Sequence, residues 1–145
     1  MSDQEAFAAR QAEAARRRQV LLDAQEEAES KKAAEFLSRF VAEAKATGLQ
    51  PEPLEAIGYG GKGRAKTDLE GWYLKTDHTL AVDTDGNYYI LIRDLGLLDR
   101  FRTQKMTPSP PPMILSKGGR DGESMDLTAK LDQMLPSWRR GGRGR

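Results

Sequence analysis

Hydrophobic and polar residues alternate most clearly between Trp72 and Ile92, in the segment WYLKTDHTLAVDTDGNYYILI. Alternation with a period of two, combined with aromatic and β-branched residues, is typical of β-strands that bury one face. The polar run at 83–87 contains an Asp-Gly pair, which favours a tight turn. We therefore predict a hairpin, preceded by a strand at 71–75 that alternates in the same sense. Together they would form a small antiparallel β-meander of three strands.

Two registers of this hairpin fit its turn residues. A two-residue Asp-Gly turn would place Val82 opposite Tyr89. A type I turn at 84–85, followed by a left-handed glycine, would instead pair Asp83 with Asn87. The second register is favoured because it gathers the bulkier apolar residues on one face. That face carries Leu80, Val82, Tyr88, Ile90 and Ile92, while the outward, half-wet face carries Ala81, Asp83, Tyr89, Leu91 and Arg93.

Residues 3–47 predict a long N-terminal α-helix, because they are almost all good helix formers and include neither Gly nor Pro. Gly48 can end the helix in a left-handed conformation, and Pro51 prevents its continuation. In the rear half, apolar residues recur every three or four positions, which gives a stripe wide enough to cover the sheet. The stripe consists of Ala33, Phe36, Leu37, Phe40, Val41 and Ala44.

The front half of this helix has little apolar surface to bury. A straight helix of about 44 residues would be about 65 Å long, whereas a compact chain of this size is about 40 Å across. The front half must therefore fray, fold back or contact another chain. We predict that it binds a protein partner or forms a coiled coil with a second copy; a solvated, partly frayed helix is the alternative. The candidate residues are Phe7, Arg16, Arg17, Arg18, Val20 and Leu21.

The segment Leu49–Glu70 is rich in glycine and charge, and we predict a loop there. Its run GYGGKGR would expose backbone amides beside cations, as phosphate-binding loops do. The phosphate-loop motif, however, requires a Lys-Ser or Lys-Thr pair at the start of a helix and a strand before the first glycine. Neither is predicted here, so a mobile surface loop is favoured. Its cations are Lys62, Arg64 and Lys66.

The segment after the hairpin is predicted to return to the sheet. Residues 94–105 form a short helix or a turn, and the Pro-rich residues 107–112 are extended. They would cross the surface and deliver Met113–Leu115 as an added edge strand. Docking of the Pro-rich segment into an aromatic groove of another protein is the alternative.

The C-terminal residues predict a short helix followed by a disordered tail. Glycines at 118–122 indicate a turn, Ser124 can cap the helix, and Pro136 ends it. One side of the helix is apolar and forms a second cover for the sheet; it carries Leu127, Leu131, Met134 and Leu135. Residues 137–145 are basic and rich in glycine, so we expect disorder there. Their candidate nucleic-acid contacts are Trp138, Arg139, Arg140, Arg143 and Arg145.

The predicted elements indicate an α+β protein, and the composition indicates that part of the chain lies outside its core. The chain has 145 residues, of which 38% are hydrophobic and 31% charged, which is lean for a single compact core. We divide it into an N-terminal helix (1–48), a small α+β domain (49–136) and a basic tail (137–145). With 23 basic and 22 acidic residues there is no overall field that attracts nucleic acid or membranes.

The absence of cysteine excludes disulfides and thiol chemistry. No apolar run is long enough for a membrane span or a signal peptide, so a cytoplasmic location is expected. His78 is the only histidine, and no predicted pocket accompanies it and Asp77, so we expect no enzyme activity, cofactor or metal. Asp83 and Asp85 have calcium-loop spacing, but Tyr88 stands where that loop requires glycine.

Two functional hypotheses remain. The first is a small non-enzymatic interaction or regulatory protein that binds a macromolecular partner through its N-terminal helix. The second is an accessory protein of RNA or ribosomes that uses the Arg/Gly tail together with the basic Gly-rich loop, because arginines contact phosphates and aromatic rings stack on unpaired bases.

Overall fold

The computed structural model describes residues 2–115 and 124–142, and over these residues the fold is α+β. One long helix, a mixed five-stranded sheet, a two-stranded sheet and a short C-terminal helix make up the structure. The elements are α1 (Asp3–Thr47), β1 (Glu52–Gly58), β2 (Arg64–Tyr73), β3 (Leu80–Asp83), β4 (Tyr88–Ile90), β5 (Ile92–Arg93), β6 (Ile114–Leu115), β7 (Met125–Asp126) and α2 (Leu127–Met134). Short 3₁₀ helices lie at Tyr59–Gly61, Asp99–Phe101 and Trp138–Arg140.

Local capping hydrogen bonds define both ends of helix α1. The Ser2 hydroxyl accepts a hydrogen bond from the amide of Glu5 at 3.1 Å, which satisfies one of the free amides of the first turn. Gly48 has φ 79° and donates its amide to the carbonyl of Ala44, a conformation that glycine adopts without strain. The predicted helix and its end at Gly48 are confirmed.

The five-stranded sheet curls until its two edges meet. Its strand order is β4-β3-β2-β1-β5, and only β1 and β5 pair in parallel. Leu91 alone separates β4 from β5; its amide donates to Thr79 on one side at 2.8 Å, and its carbonyl accepts from Ile57 on the other at 2.9 Å. One short stretch of chain therefore bonds to both edges, which leaves a small closed barrel with an inside and an outside.

The predicted loop at Leu49–Glu70 is wrong, because β1 and most of β2 lie there. These two strands pair along most of their length, from Glu52 opposite Gly71 to Ile57 opposite Arg64. Their charged residues face solvent while Leu54, Ala56 and Ala65 are buried. The predicted three-stranded antiparallel meander is consequently one end of a larger mixed sheet, which β1 and β5 continue beyond β2.

The hairpin has the predicted register: Val82 lies opposite Tyr88, the Asp83 amide donates to the Asn87 carbonyl at 2.9 Å, and Gly86 has φ 87°. The Asp83 carboxylate organises the turn. It accepts from the amides of Asp85 and Asn87, both at 2.9 Å, and from the Tyr89 hydroxyl at 3.0 Å. These bonds account for the polar residues that sequence alone could assign to a calcium loop.

Both faces of the sheet are covered, so the predicted half-wet face is wrong. The outside of the barrel packs against α1 and α2 through Trp72, Leu74, Leu80, Val82, Tyr88, Ala33, Leu37, Phe40, Leu127 and Leu131. The inside buries Leu54, Ala81, Tyr89 and Leu91. Burial, with the hydrogen bond to Asp83, raises the pKa of Tyr89 to about 12. Ile90, expected on the buried apolar face with Leu80 and Val82, is 38% exposed because strand pairing stops there and the chain crosses to β1.

The C-terminal segment differs from the prediction in its strand pairing and in the residue at which α2 begins. The Pro-rich residues run along β4, where the Ser109 amide donates to the Tyr88 carbonyl at 2.8 Å. Strand β6 pairs with β7 rather than with the main sheet. Asp126 rather than Ser124 stands at the N-cap position of α2, and its side chain makes no capping hydrogen bond. The glycine turn predicted at 118–122 lies outside the described residues.

Candidate partner-binding surfaces

The front half of α1 projects away from the barrel. Among residues 2–115 and 124–142, contact with the body begins at Glu29, whose carboxylate accepts from the Met113 amide at 3.1 Å, and Ala33 is the first fully buried residue of the helix. We call residues 3–28 the arm; at about 1.5 Å per residue it is about 39 Å long. Its large apolar side chains are exposed: Phe7 by 58%, Val20 by 66%, Leu21 by 64% and Leu22 by 52%.

The predicted partner-binding residues lie on two sides of the arm. With about 100° between successive residues, Phe7, Arg18 and Leu21 share one side, together with Leu22. Val20 and Arg16 point to the other side. Sequence reasoning left Leu22 out of the site, although its helical spacing from Phe7 and Arg18 is the signal that would have found it.

The arm also separates its charges along its length. Arginines lie at 10 and 16–18, where Glu13 is the only acid, while the acids Asp23, Glu26, Glu27 and Glu29 follow within the next turns. Arg16, Arg17 and Arg18 are all exposed. The arm therefore has a basic block at 10–18 and an acidic block at 23–29.

A second surface forms around the Gly-rich segment. Arg64 is exposed but contacts other side chains of the protein: its guanidinium lies 3.8 Å from the Glu55 carboxylate and 3.1 Å from Nδ1 of His78. Lys66 is exposed on the same face of β2, and its carbonyl accepts from the Gln104 amide at 2.7 Å, which brings residues 99–105 alongside β2. The cations predicted on one mobile loop therefore belong to a strand and a 3₁₀ turn, and Arg64 has carboxylate and imidazole neighbours.

Side chains that sequence reasoning missed complete this surface. Lys66, Arg100, Phe101, Arg102 and Thr103 line a shallow pocket of about 240 Å³. Phe101 is 87% exposed. Within the described residues, no carboxylate forms an ion pair with these cations. We call Lys66, Arg100, Phe101 and Arg102 the basic surface; the sequence signal for it was the Arg-Phe-Arg run at 100–102, within the segment predicted as a short helix or a turn.

The C-terminal tail differs from the expected disordered segment as far as Gly142. Trp138 is fully buried; its indole Nε1 donates to Asp132 at 2.7 Å, and its ring meets Phe36 edge-on at 5.5 Å. Arg139 stacks on the indole at 4.7 Å and lies 3.5 Å from the Asp132 carboxylate. Trp138 is thus a core residue that presents no free face to a base, while Arg140 is exposed. Arg143 and Arg145 lie outside the described residues.

His78 occupies a tight turn with φ 64°. Its ring stacks on Tyr73 at 3.9 Å, and burial raises the pKa of the Tyr73 hydroxyl. Asp77, the carboxylate that would have to orient His78 in catalysis, accepts instead from the amide and hydroxyl of Thr79 at 3.1 and 2.6 Å. These contacts give the two residues a role in shaping the turn.

The chain matches no protein-family model, no curated protein and no solved structure. Across residues 2–115 and 124–142, no helix is both long and apolar enough to span a bilayer, and no three acidic or histidine side chains are grouped as metal ligands.

Proposed function

We propose that this is a non-enzymatic interaction protein that binds a macromolecular partner through the arm. The observation that supports this proposal is the exposure of Phe7, Leu21 and Leu22 on a helix that extends beyond the core. Burial of one such side chain contributes about 1.5–3 kcal/mol. A partner that covered two of them would also stabilise a helix that is marginal by itself.

Substitution of Phe7→Ala together with Leu21→Ala is expected to weaken capture of the partner from nuclease-treated native lysate by at least about 10-fold, since a loss of 1.4 kcal/mol is already tenfold. The chain supplies a matched control. Phe101 and Leu97 are also exposed, by 87% and 79%, but lie outside the arm. The Phe101→Ala, Leu97→Ala variant should retain the partner, and equal capture by all three proteins would contradict the proposal.

A second candidate function, association with single-stranded nucleic acid, is favoured by the basic surface. Three cations there line one shallow pocket with an exposed aromatic ring, which is the combination that tracks phosphates and stacks on unpaired bases. Arg64 and Trp138, predicted as contacts, have protein partners instead. The tail contributes Arg139 and Arg140, which pack beside α1 rather than beside Lys66.

Charge reversal of Lys66, Arg100 and Arg102 to Glu is expected to abolish binding of a fluorescent single-stranded RNA to the full chain. If three phosphates are contacted, the logarithm of the affinity should fall against log[salt] with a slope of about −2. Reversal of Arg16, Arg17 and Arg18 to Glu changes the net charge equally and is the control. Equal loss in both variants would indicate nonspecific attraction and would overturn a defined site on the basic surface.

A further inference from the structure

We infer that this chain docks on the surface of anionic phospholipid bilayers through Leu97, Leu98 and Phe101, with the basic surface facing the lipid headgroups. We call these three residues the apolar tip. The inference goes beyond the function proposed for the arm, which lies on a different element. A bilayer and a single-stranded RNA would compete for the basic surface, and vesicle binding distinguishes the two.

The apolar tip projects into solvent from one 3₁₀ turn. Leu98 is 67% exposed, and Leu97 and Phe101 are exposed further. The Phe101 amide donates to the Leu98 carbonyl at 3.1 Å, and residues three apart in a 3₁₀ turn lie on the same side. A single exposed leucine is ordinary, whereas a contiguous group of large apolar side chains on the surface marks an interaction site.

Hydrogen bonds hold this turn in place. The Gly96 amide donates to the Asp99 carboxylate at 2.8 Å, and the Gln104 side chain donates to the Asp99 carbonyl at 3.1 Å. The Gln104 amide in turn donates to the Lys66 carbonyl at 2.7 Å, which ties the turn to β2. Folding the apolar tip back onto the body would break these bonds. A surface that is ordered in advance also loses little conformational entropy when it binds.

Cations outnumber acids around the apolar tip. Residues 93–105 carry four cations and two acids, namely Arg93, Arg100, Arg102 and Lys105 against Asp94 and Asp99. Lys66 adds a cation from β2 and lines the shallow pocket together with Thr103. Guanidinium and ammonium groups bind phosphate oxygens, and the Thr103 hydroxyl can donate to one as well. The pocket beside the apolar tip therefore suits the phosphate of a lipid headgroup.

The Gly-rich turn positions Arg100 beside the apolar tip. The Arg100 guanidinium lies across Gly63, where an added Cβ atom would be 3.1 Å from Nε. Gly63 has φ 82°, a conformation that glycine adopts without strain. The bare backbone at this residue leaves room for the arginine. Lys62 is the neighbouring residue and is exposed, so it brings a further cation to the edge of the basic surface.

The two leucines favour a bilayer over RNA. Bases can stack on Phe101 and phosphates can contact the cations, but RNA would leave Leu97 and Leu98 in water because aliphatic side chains have no ring to stack. At an anionic bilayer, apolar side chains enter the boundary between headgroups and acyl chains, while Lys and Arg contact the phosphates around them. We expect reversible binding that high salt weakens, because the cations are exposed.

Co-sedimentation of the full chain with vesicles tests the inference. We expect binding to an equimolar mixture of phosphatidylcholine and phosphatidylserine, and much weaker binding to phosphatidylcholine alone. The Leu97→Ala, Leu98→Ala, Phe101→Ala variant should bind at least about 10-fold more weakly, because it loses most of the apolar area that enters the bilayer. Reversal of the three cations of the basic surface to Glu should weaken binding at least as much. Equal binding to both kinds of vesicle would overturn the role of the cations.

The arm supplies matched controls. The Phe7→Ala, Leu21→Ala variant removes exposed apolar area elsewhere, and reversal of Arg16, Arg17 and Arg18 to Glu changes the net charge as much as reversal of the basic surface. Both controls should keep most of the binding at about 0.1 M salt, where charges act over about 10 Å. All of these side chains are exposed, so the variants should keep the fold, which circular dichroism checks. Equal losses in the tip and arm variants would indicate nonspecific adsorption and overturn the inference.

Fluorescence quenching tests the orientation on the bilayer. Phe101→Trp places a fluorophore in the apolar tip, and bromine atoms on the acyl chains should quench it because the tip enters their boundary. Phe7→Trp is the control on the arm and should not be quenched. Trp72 and Trp138 are buried and supply a constant background. Quenching of Phe7→Trp without quenching of Phe101→Trp would place the arm on the bilayer and overturn the inferred surface.

The outcomes separate this inference from the proposed functions. No binding to the mixed vesicles up to about 1 mM lipid, about tenfold above the concentration at which a single myristoyl chain is half bound, would overturn it. If the chain in that case binds fluorescent single-stranded RNA through the basic surface, that surface is a nucleic-acid site. Neither result affects capture of a partner by the arm, which the Phe7→Ala, Leu21→Ala variant tests separately.

Discussion

Trp138→Ala is expected to lower the free energy of unfolding by about 3–5 kcal/mol, the usual cost of removing a large buried aromatic side chain. The indole is fully buried between α1 and the rest of the core, and it packs edge-on against Phe36. Its removal would leave a cavity and would also deprive Asp132 of a hydrogen-bond donor. Urea unfolding followed by circular dichroism measures the change.

Arg139→Ala is the matched control for this prediction. It removes the cation that stacks on the indole but keeps the indole itself, and exposed pairs of this kind contribute about 1 kcal/mol or less. A cost below about 1 kcal/mol for Trp138→Ala would mean that residues 138–142 detach from α1 in solution, since a loose side chain leaves no cavity. The same packing makes deletion of 136–145 a poor test of nucleic-acid binding, because it would remove a core residue.

Asp83→Ala is expected to cost about 3 kcal/mol. The substitution would remove the acceptor for two turn amides and for the buried hydroxyl of Tyr89. Leaving one buried polar group unpaired costs about 1–3 kcal/mol, and hydrogen bonds to a charged group are stronger than average. We expect the loss to appear in the same urea unfolding experiment, with the register of β3 and β4 weakened first.

Asp85→Ala provides the comparison in the same turn. The Asp85 side chain is exposed, and only its backbone amide takes part in the turn. Its removal should change stability by no more than about 0.5 kcal/mol. Equal costs for the two substitutions would show that charge in the turn, rather than the specific acceptor, stabilises the hairpin. A Tyr89→Phe, Asp83→Ala double variant would then measure their coupling directly.

These two residues bear on the proposed function because they position the base of the arm. Trp138 packs on the side of α1 that carries Phe36. The hairpin that Asp83 organises belongs to the sheet that packs on the neighbouring side of the same helix. Gly141 lies so close to the Arg39 backbone that a larger residue would not fit. The point at which the arm leaves the body is therefore fixed by tertiary contacts around Phe36 and Arg39.

The sequence by itself determined the elements whose causes are local. Helix α1 follows from an unbroken run of helix formers, and its end follows from Gly48. The register of the hairpin follows from the alternation of apolar and polar residues along its strands and from Gly86 in its turn. The mismatch between the length of α1 and its apolar stripe predicted a projecting front half, and the exposure of Phe7 and Leu21 agrees with it.

Only the tertiary structure decided the rest, because it depends on pairs of residues far apart in the chain. Strands β1 and β2 are rich in charge and glycine, so their propensity is weak, and pairing between them makes them strands. Closure at Leu91 buries Tyr89 inside a barrel that no local pattern specifies. Trp138 becomes a core residue because α1, about a hundred positions earlier, offers Phe36. Likewise, Lys66 and Arg100 form one surface only because residues 99–105 return to β2.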